Sequence, residues 1–404
     1  MRAKSNQARK IVTKGTDLEL RSQIECVRVF GLRYPLPEPL VLLHRLQTHT
    51  EAVLVQIVDS TGAEGWGECY GPMELVIPAV TQFYASALIG KDPLSFAGLW
   101  EVLWAESYWW ARRGILLSAL SGLDMALWDL AGQLVQRSVS EMMGGRYRDR
   151  LPCYATGLYF RERPEAEYIP TLVEEAQQYV EEGYRAVKVQ LGRNPFSDRA
   201  LISALRSALP RTPLIADACC AYDLPEALQI GRELVSAGFT WLEDPLSLEH
   251  PEQYQQLANQ IALPLAAGEW EQTRWGYANL LRPGGISYPQ IRLSYCGGLT
   301  EAVRIRSQVH THGLNLSPVA TGTMVNIAAS VHFLASDVRQ PGHAEPTTGL
   351  LGIAPLTTAW NRLFSAPVRI EGGVAYVPPG PGLGIRLDRH VLESLTVHLE
   401  EITA

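Results

Sequence analysis

Three carboxylates recur at equal spacing, each at the end of a short apolar run. Asp217 closes Pro213-Leu-Ile-Ala216, Glu243 closes Phe239-Thr-Trp-Leu242, and Glu269 follows Leu263-Pro-Leu-Ala-Ala-Gly268, so both intervals are 26 residues. One parallel strand, its loop and a packing helix take about that length, because a βαβ unit needs roughly 30 residues. A single strand-end carboxylate is commonly a helix cap or an ion-pair member. Three at successive strand ends converge on one point at the top of a parallel barrel. Hard oxygen donors gathered there suit Mg²⁺ better than Zn²⁺, which prefers nitrogen and sulfur.

The rest of the chain divides around this rhythm. Residues 1–22 carry charge without an apolar core and are expected to be a poorly ordered tail rather than a signal peptide. From residue 23 to 70 the composition is that of strands, with Asp59-Ser-Thr-Gly62 as a turn. Arg33 to Thr50, rich in proline, reads as a mobile loop. Residues 75–143 change to helical period, with Leu116, Leu120, Leu123, Leu127 and Leu130 on one stripe, and Gly144-Gly145 stops the helix. Residues 23–150 therefore form an α+β unit.

Beyond Leu151 strands alternate with amphipathic helices. About eight strand positions follow, the last a short one at His343-Ala-Glu345, which gives an α/β protein with a (β/α)8 TIM-like barrel over 151–350. Residues 351–404 leave the rhythm, with a hairpin around Gly372-Gly373. Pro378-Pro-Gly-Pro-Gly-Leu-Gly384 mimics a dinucleotide fingerprint, but no strand-turn-helix surrounds it, and a rigid loop is the better reading.

Bulk composition narrows the function. At 404 residues the chain exceeds one ordinary core. A net charge of −7 without a long basic run makes nucleic acid and anionic membranes poor partners. No 18-residue apolar run is evident, so no membrane span is expected. Six cysteines without a C-x-x-C pair point to a reducing, cytoplasmic setting.

Taken together, the barrel rhythm, Asp217, Glu243 in Trp241-Leu-Glu-Asp-Pro245, Glu269, Lys188 in Ala186-Val-Lys-Val-Gln190, and Gly297-Gly298-Leu-Thr300 resemble the enolase superfamily, in its mandelate racemase/muconate lactonizing branch. Ala126-Leu-Trp-Asp-Leu130 resembles that family's capping-domain helix, and Gly380 to Gly384 its C-terminal loop, where the chain returns to the cap. The resemblance implies abstraction of a proton α to a carboxylate, with one Mg²⁺ held by Asp217, Glu243 and Glu269 stabilising the enediolate. It further implies a small carboxylate substrate, and the protein is expected to be a homo-oligomer.

The sequence departs from the family at the acid/base positions. Where relatives carry Lys-x-Lys, this chain has Lys188-Val189-Gln190; where an Asp–His dyad stands in racemases, it has Arg292 and Val319. Gln190 carries no proton and becomes a substrate contact. Arg292 stays protonated, so its bidentate fork suits a clamp for a carboxylate or hydroxyls. Lys188 is either the base or a cation beside the substrate carboxylate. Tyr159, His343 and Glu345 are further candidates, Glu345 at a position that hydrogen-bonds the substrate carboxylate. Cys219 and Cys220 read as pocket wall, Trp270 as another wall, and His44, with His49, as a residue that could reach the substrate from the cap. Two-base racemisation is disfavoured. The expected reaction is dehydration of a hydroxy acid or acid sugar, with cycloisomerisation next and racemisation third. The alternative of another class is a metal-binding member that holds a carboxylate ligand without proton transfer.

Overall fold

From residue 150 onward the chain lays down eight parallel strands that close on themselves. They are Arg150–Gly157, Val187–Gln190, Leu214–Asp217, Leu242–Glu243, Leu265–Ala267, Tyr288–Ile291, Ser317–Ala320 and Leu351–Ile353. Each is hydrogen-bonded to the next, and the eighth pairs with the first, Leu351 opposite Cys153. The structure is a computed structural model and describes residues 22–42, 45–110, 112–338, 351–353 and 358–403. The tail expected over 1–22 lies outside these residues except for Ser22, which is buried and donates to Asp59.

Both faces of each strand are covered, which is why the strands read as continuous apolar runs rather than alternating ones. Leu214 and Ala216 join the outer core under the helices, whereas Tyr154, Ile215, Trp241 and Ala266 form a separate cluster. Such inward-pointing layers fill a barrel of this size. The intervening helices begin where local chemistry satisfies their first N–H groups. Asn194 accepts from Phe196 and Ser197 N, at 3.1 and 2.9 Å, to start Pro195–Ala208. Asp223 and Glu226 form a reciprocal capping box for Leu224–Ser236.

The first part of the chain builds a second core. An antiparallel sheet has the order Thr396–Thr403, Ile24–Leu42, Arg45–Asp59, Glu64–Cys69, so a strand from beyond the barrel completes it. Helix Ile115–Val135 packs on the strand Glu64–Cys69 closely enough that side chains are excluded at the crossing. A Cβ on Gly67 would lie 1.9 Å from Gly122 O, and one on Gly122 would lie 2.2 Å from Cys69 Sγ. This helix is long and apolar enough, by length and composition, to cross a membrane, contrary to the expectation that no such run exists. Of its most apolar window 89% is buried inside the protein, which makes it the core helix of the cap.

Two further expectations change. The described parts of Arg33 to Thr50 are strands and not loop: residues 33–42 and 45–50 pair antiparallel, with Arg33 opposite Glu51, Pro35 opposite His49 and Leu40 opposite Gln47. The register shifts between Pro35 and Leu40, so Pro37 and Pro39, which cannot donate to a ladder, sit where the ladder is interrupted. The eighth strand is Leu351–Ile353 rather than His343-Ala-Glu345; the latter lies outside the described residues. The hairpin after residue 368 is present, and its strand Val374–Tyr376 runs antiparallel to the first barrel strand at Arg150–Pro152.

Candidate active site

Strand register brings the spaced carboxylates together. Gln190 stands opposite Asp217, Asp217 opposite Glu243, and Glu243 opposite Ala266, two residues before Gly268-Glu269. Glu243 and Glu269 are buried, and the Asp217 side chain is 15% exposed. Between them lies Lys188, 4% exposed, whose Nζ donates to Asp217 Oδ2 at 2.8 Å and to Glu243. Trp241 Nε1 reaches Glu243 Oε2 at 3.3 Å.

On the opposite side Arg292 donates from Nη2 to Glu269 Oε1 at 3.1 Å and from Nη1 to Thr321 Oγ1. Its Cζ lies 5.2 Å from the Trp270 ring and 4.4 Å from the ring of Tyr70. Its Nε is buried and has no protein partner. Cys219 turns its backbone N–H onto Asp217 Oδ1 at 3.0 Å and its thiol onto the same oxygen at 3.4 Å. Gln190 Nε2 approaches the Cys219 sulfur at 3.7 Å, while its Oε1 is buried without a partner. Cys219, Cys220 and Asp244 hold left-handed φ of 46°, 61° and 39°. Such strain outside glycine gathers where surrounding structure holds a site in place.

Electrostatics follow from burial. Burial pushes Glu243 up to about 8, and neighbouring Asp217 and Glu269 push the same way, against the Lys188 ammonium. Burial also works on Asp217, but Lys188 and the Cys219 N–H outweigh it and hold this carboxyl below its ordinary value. For Lys188 burial favours the neutral amine, yet Asp217 and Glu243 keep the ammonium's pKa well above its usual range. Burial opposes charge on Arg292 as well, and Glu269 overrides it, so the guanidinium stays protonated. Burial raises Tyr159 to about 12, with Lys188 acting in the opposite sense, which leaves a neutral phenol at this centre. The Cys219 thiol is raised by burial and then by Asp217 and Glu269, a poor setting for a thiolate nucleophile.

The donor set fits a hard divalent cation. Asp217, Glu243, Asp244 and Glu269 place four carboxyl groups around two organic cations, and both Asp244 oxygens are buried without a hydrogen-bond partner. Asp244 is raised well above the usual carboxylate range, by burial and then by Glu269, Asp217 and Glu243. Such an excess of buried anionic oxygen calls for metal or protons. Among the described residues no three Asp, Glu, His or Cys side chains already close around one point. The Lys188 ammonium lies between Asp217 and Glu243, and Arg292 takes Glu269.

Of the residues singled out in the sequence, Lys188, Gln190, Asp217, Cys219, Glu243, Glu269, Trp270 and Arg292 assemble here, and Tyr159 shares the electrostatics of the centre. His49 is elsewhere, paired with Glu51 at 3.1 Å. His44, His343 and Glu345 lie outside the described residues. Sequence reasoning missed Tyr70, Thr321 and Asp244. Asp244 was visible in Glu-Asp-Pro, but Tyr70 comes from the cap and no strand-end rhythm points to it.

Known proteins are similar to this chain in sequence and in architecture. Residues 26–144 match the mandelate racemase/muconate lactonizing enzyme N-terminal domain, and residues 171–391 match the enolase C-terminal domain-like family. The D-galactarolactone cycloisomerase of Agrobacterium fabrum is 33% identical over 87% of this chain and 96% of its own. The arabinonate dehydratase of Saccharolobus solfataricus is 26% identical over 85% of this chain and 90% of its own. A racemase from Streptomyces coelicolor, solved with bound magnesium, superposes with a TM-score of 0.82 at 27% identity, covering 93% of this chain and all of that one. The chain belongs to the enolase superfamily, as a mandelate racemase/muconate lactonizing enzyme-like member and an enzyme of lyase or isomerase type.

Proposed function

We propose that the protein removes the proton α to the carboxylate of an acid sugar and expels a β-hydroxyl as water, a dehydration. The observation that carries this reading is the pairing of two fixed cations, Lys188 and Arg292, with the carboxylates Asp217, Glu243 and Glu269 at the barrel top. A proton next to a carboxylate is too weakly acidic for a side chain at neutral pH unless positive charge meets the electrons left behind. Asp217, Glu243 and Glu269 would hold one Mg²⁺, which supplies that charge when bound.

The chain's own residues share the remaining work. Lys188, which donates to Asp217 and Glu243 while they hold no metal, would be freed as those carboxylates turn to Mg²⁺ and would act as the base for the α-proton. Arg292 presents its unpartnered Nε–H to a second substrate oxygen, and Gln190 offers Oε1 to a hydroxyl. Tyr159, a neutral phenol, can donate toward the departing oxygen, while Trp270 and Cys219 form walls. As the C–H bond breaks, the Lys188 amine takes the proton and the electron pair moves toward the carboxylate; return of that pair breaks the β-carbon–oxygen bond, and the hydroxyl takes a proton from the Tyr159 phenol to leave as water. The enol product then tautomerises to a 2-keto-3-deoxy acid.

A second reading, cycloisomerisation, shares the first proton transfer and ends with ring opening or closure instead of loss of water. It is favoured by the 33% identical relative named as a cycloisomerase. Two-base racemisation is third, since Gln190 and Val319 stand where racemases keep proton carriers.

The test is to incubate the protein with Mg²⁺ and a panel of aldonic acids, aldaric acids and their lactones in D₂O and follow the α-proton by NMR. Exchange or turnover with an acid sugar is expected. A ligand that binds without any exchange would sink the proton-abstraction reading, and undiminished turnover by Lys188→Ala would remove Lys188 from the chemistry. We further propose a cytoplasmic homo-oligomer, the reducing setting being supported by six cysteines that form no disulfide. We draw the barrel from residue 151 through Leu351–Ile353, with residues 23–150 and the segment beyond the eighth strand as the cap.

A further inference from the structure

Arg292 is held from more directions than the barrel alone provides. Glu269 and Thr321 take its two terminal nitrogens, and Trp270 lies against the guanidinium. The nearest ring, at 4.4 Å, is Tyr70, which belongs to the cap. Tyr70 is itself fixed. Its N–H donates to Ser294 O at 2.9 Å, its carbonyl accepts from Ser118 Oγ, and its ring packs at 5.6 Å from Trp270 and edge-on at 5.8 Å from Tyr295.

Two residues earlier, Glu68 reaches the same arginine by another route. Its carboxylate accepts from Thr323 N at 3.0 Å, Thr323 Oγ1 at 2.6 Å and Asn326 N at 3.2 Å. Asn326 Nδ2 in turn donates to Thr321 O at 2.9 Å, and Thr321 Oγ1 is the acceptor for Arg292 Nη1. The strand end Glu68–Tyr70 thus touches the guanidinium directly with a ring and indirectly through a turn.

We propose that Tyr70 is a positioning residue whose ring, with Trp270, sets the plane of the Arg292 guanidinium and so aims the Nε–H that has no protein partner. A cation over an aromatic face is attracted by the ring quadrupole, and more strongly away from water. Two terminal hydrogen bonds fix the far end of the group, whereas ring contact on its faces restrains rotation about the Cδ–Nε bond, which sets the guanidinium plane. The cap therefore completes a barrel residue, and docking of the two units is a condition for the clamp to have its direction.

The experiment uses the full chain labelled with ¹⁵N at arginine Nε, the Arg292 signal being assigned by its loss in Arg292→Lys. Wild type and Tyr70→Phe should show an Nε–H shifted upfield by ring currents and slow to exchange with solvent. Tyr70→Leu should lose the upfield shift and exchange about threefold to tenfold faster, the range expected for loss of a cation–π contact between a buried guanidinium and a partly exposed ring. Because Leu also changes packing, pentafluorophenylalanine in place of Tyr70 keeps the ring's shape and inverts its quadrupole; exchange should again accelerate. If both replacements leave Nε–H exchange as in wild type, Glu269 and Thr321 suffice and the proposal is overturned. The signal is read without substrate, so a failure of the proposed clamp would show only in turnover and leave this result standing.

Discussion

Asp124 offers a quantitative test of how the cap is joined to the barrel. It lies on the cap helix Ile115–Val135, is fully buried, and accepts from Thr300 N at 2.8 Å and Thr300 Oγ1 at 2.6 Å in the first turn of barrel helix Gly298–Thr311. Burial raises its carboxyl from 3.8 to about 7, with the Thr300 bonds opposing. A folded-state pKa above the unfolded one contributes stability that is full below the unfolded value and is lost as pH rises through the folded value. Between pH 5 and pH 7 the unfolded chain is ionised and the folded one is not, at about 1.4 kcal/mol per pH unit. Stability should therefore fall by about 2–3 kcal/mol from pH 5 to pH 8 on account of this one group. Asp124→Asn removes the titration while keeping an acceptor for Thr300. The assay is urea unfolding, followed by tryptophan fluorescence, for both proteins at pH 5 and pH 8. Other titrating groups, Glu68 and Asp129 among them, are common to both and cancel in the double difference. Parallel pH profiles would refute the reasoning, for they would mean that Asp124 stays ionised, held by the Thr300 N–H and the helix N-terminus.

Other expectations are simpler to check. Gly122→Ala places a methyl 2.2 Å from Cys69 Sγ and 3.1 Å from the Glu68 backbone, and should lower stability by about 1–3 kcal/mol in urea titration. Arg292→Lys keeps the charge but cannot serve Glu269, Thr321 and a ligand at once, so kcat/KM should fall by about tenfold or more with little change in unfolding midpoint. Chelation with EDTA should abolish α-proton exchange and Mg²⁺ should restore it; exchange that persists in a metal-free protein would count against the three-carboxylate ligand set. Cys219→Ser should leave turnover within a few-fold, because burial keeps the thiol protonated and a wall residue tolerates an isostere.

The barrel was legible because parallel strands covered on both faces produce apolar runs, and helices between them impose a regular interval. That interval located Asp217, Glu243 and Glu269, and register did the rest. The strand pairing of residues 33–42 with 45–50 was hidden by its prolines, which usually interrupt strands but here occupy the gap in the ladder between Pro35 and Leu40. The eighth strand was set too early because Leu351-Gly-Ile353 is short and follows a stretch without helical period. Tyr70 was invisible for a different reason: its partner Arg292 is over two hundred residues away, and cation–π contact between units leaves no local pattern. Lys188 was recognised, but whether it carries its proton depends on the distance to two carboxylates, which only the fold sets.

The pairing of Thr396–Thr403 with Ile24–Leu42 has a consequence for how the molecule comes into being. Arg28 and Glu401 are partners across 373 residues, and the barrel's first strand waits for Leu351–Ile353. During synthesis both units therefore keep an unpaired strand edge until well past residue 350 has emerged, and the edge of Ile24–Leu42 waits longest. Such long-range pairings are slow to form and leave edges open to wrong partners. Yield of the folded protein should accordingly depend on chaperone supply and growth temperature more than on the stability of the finished structure.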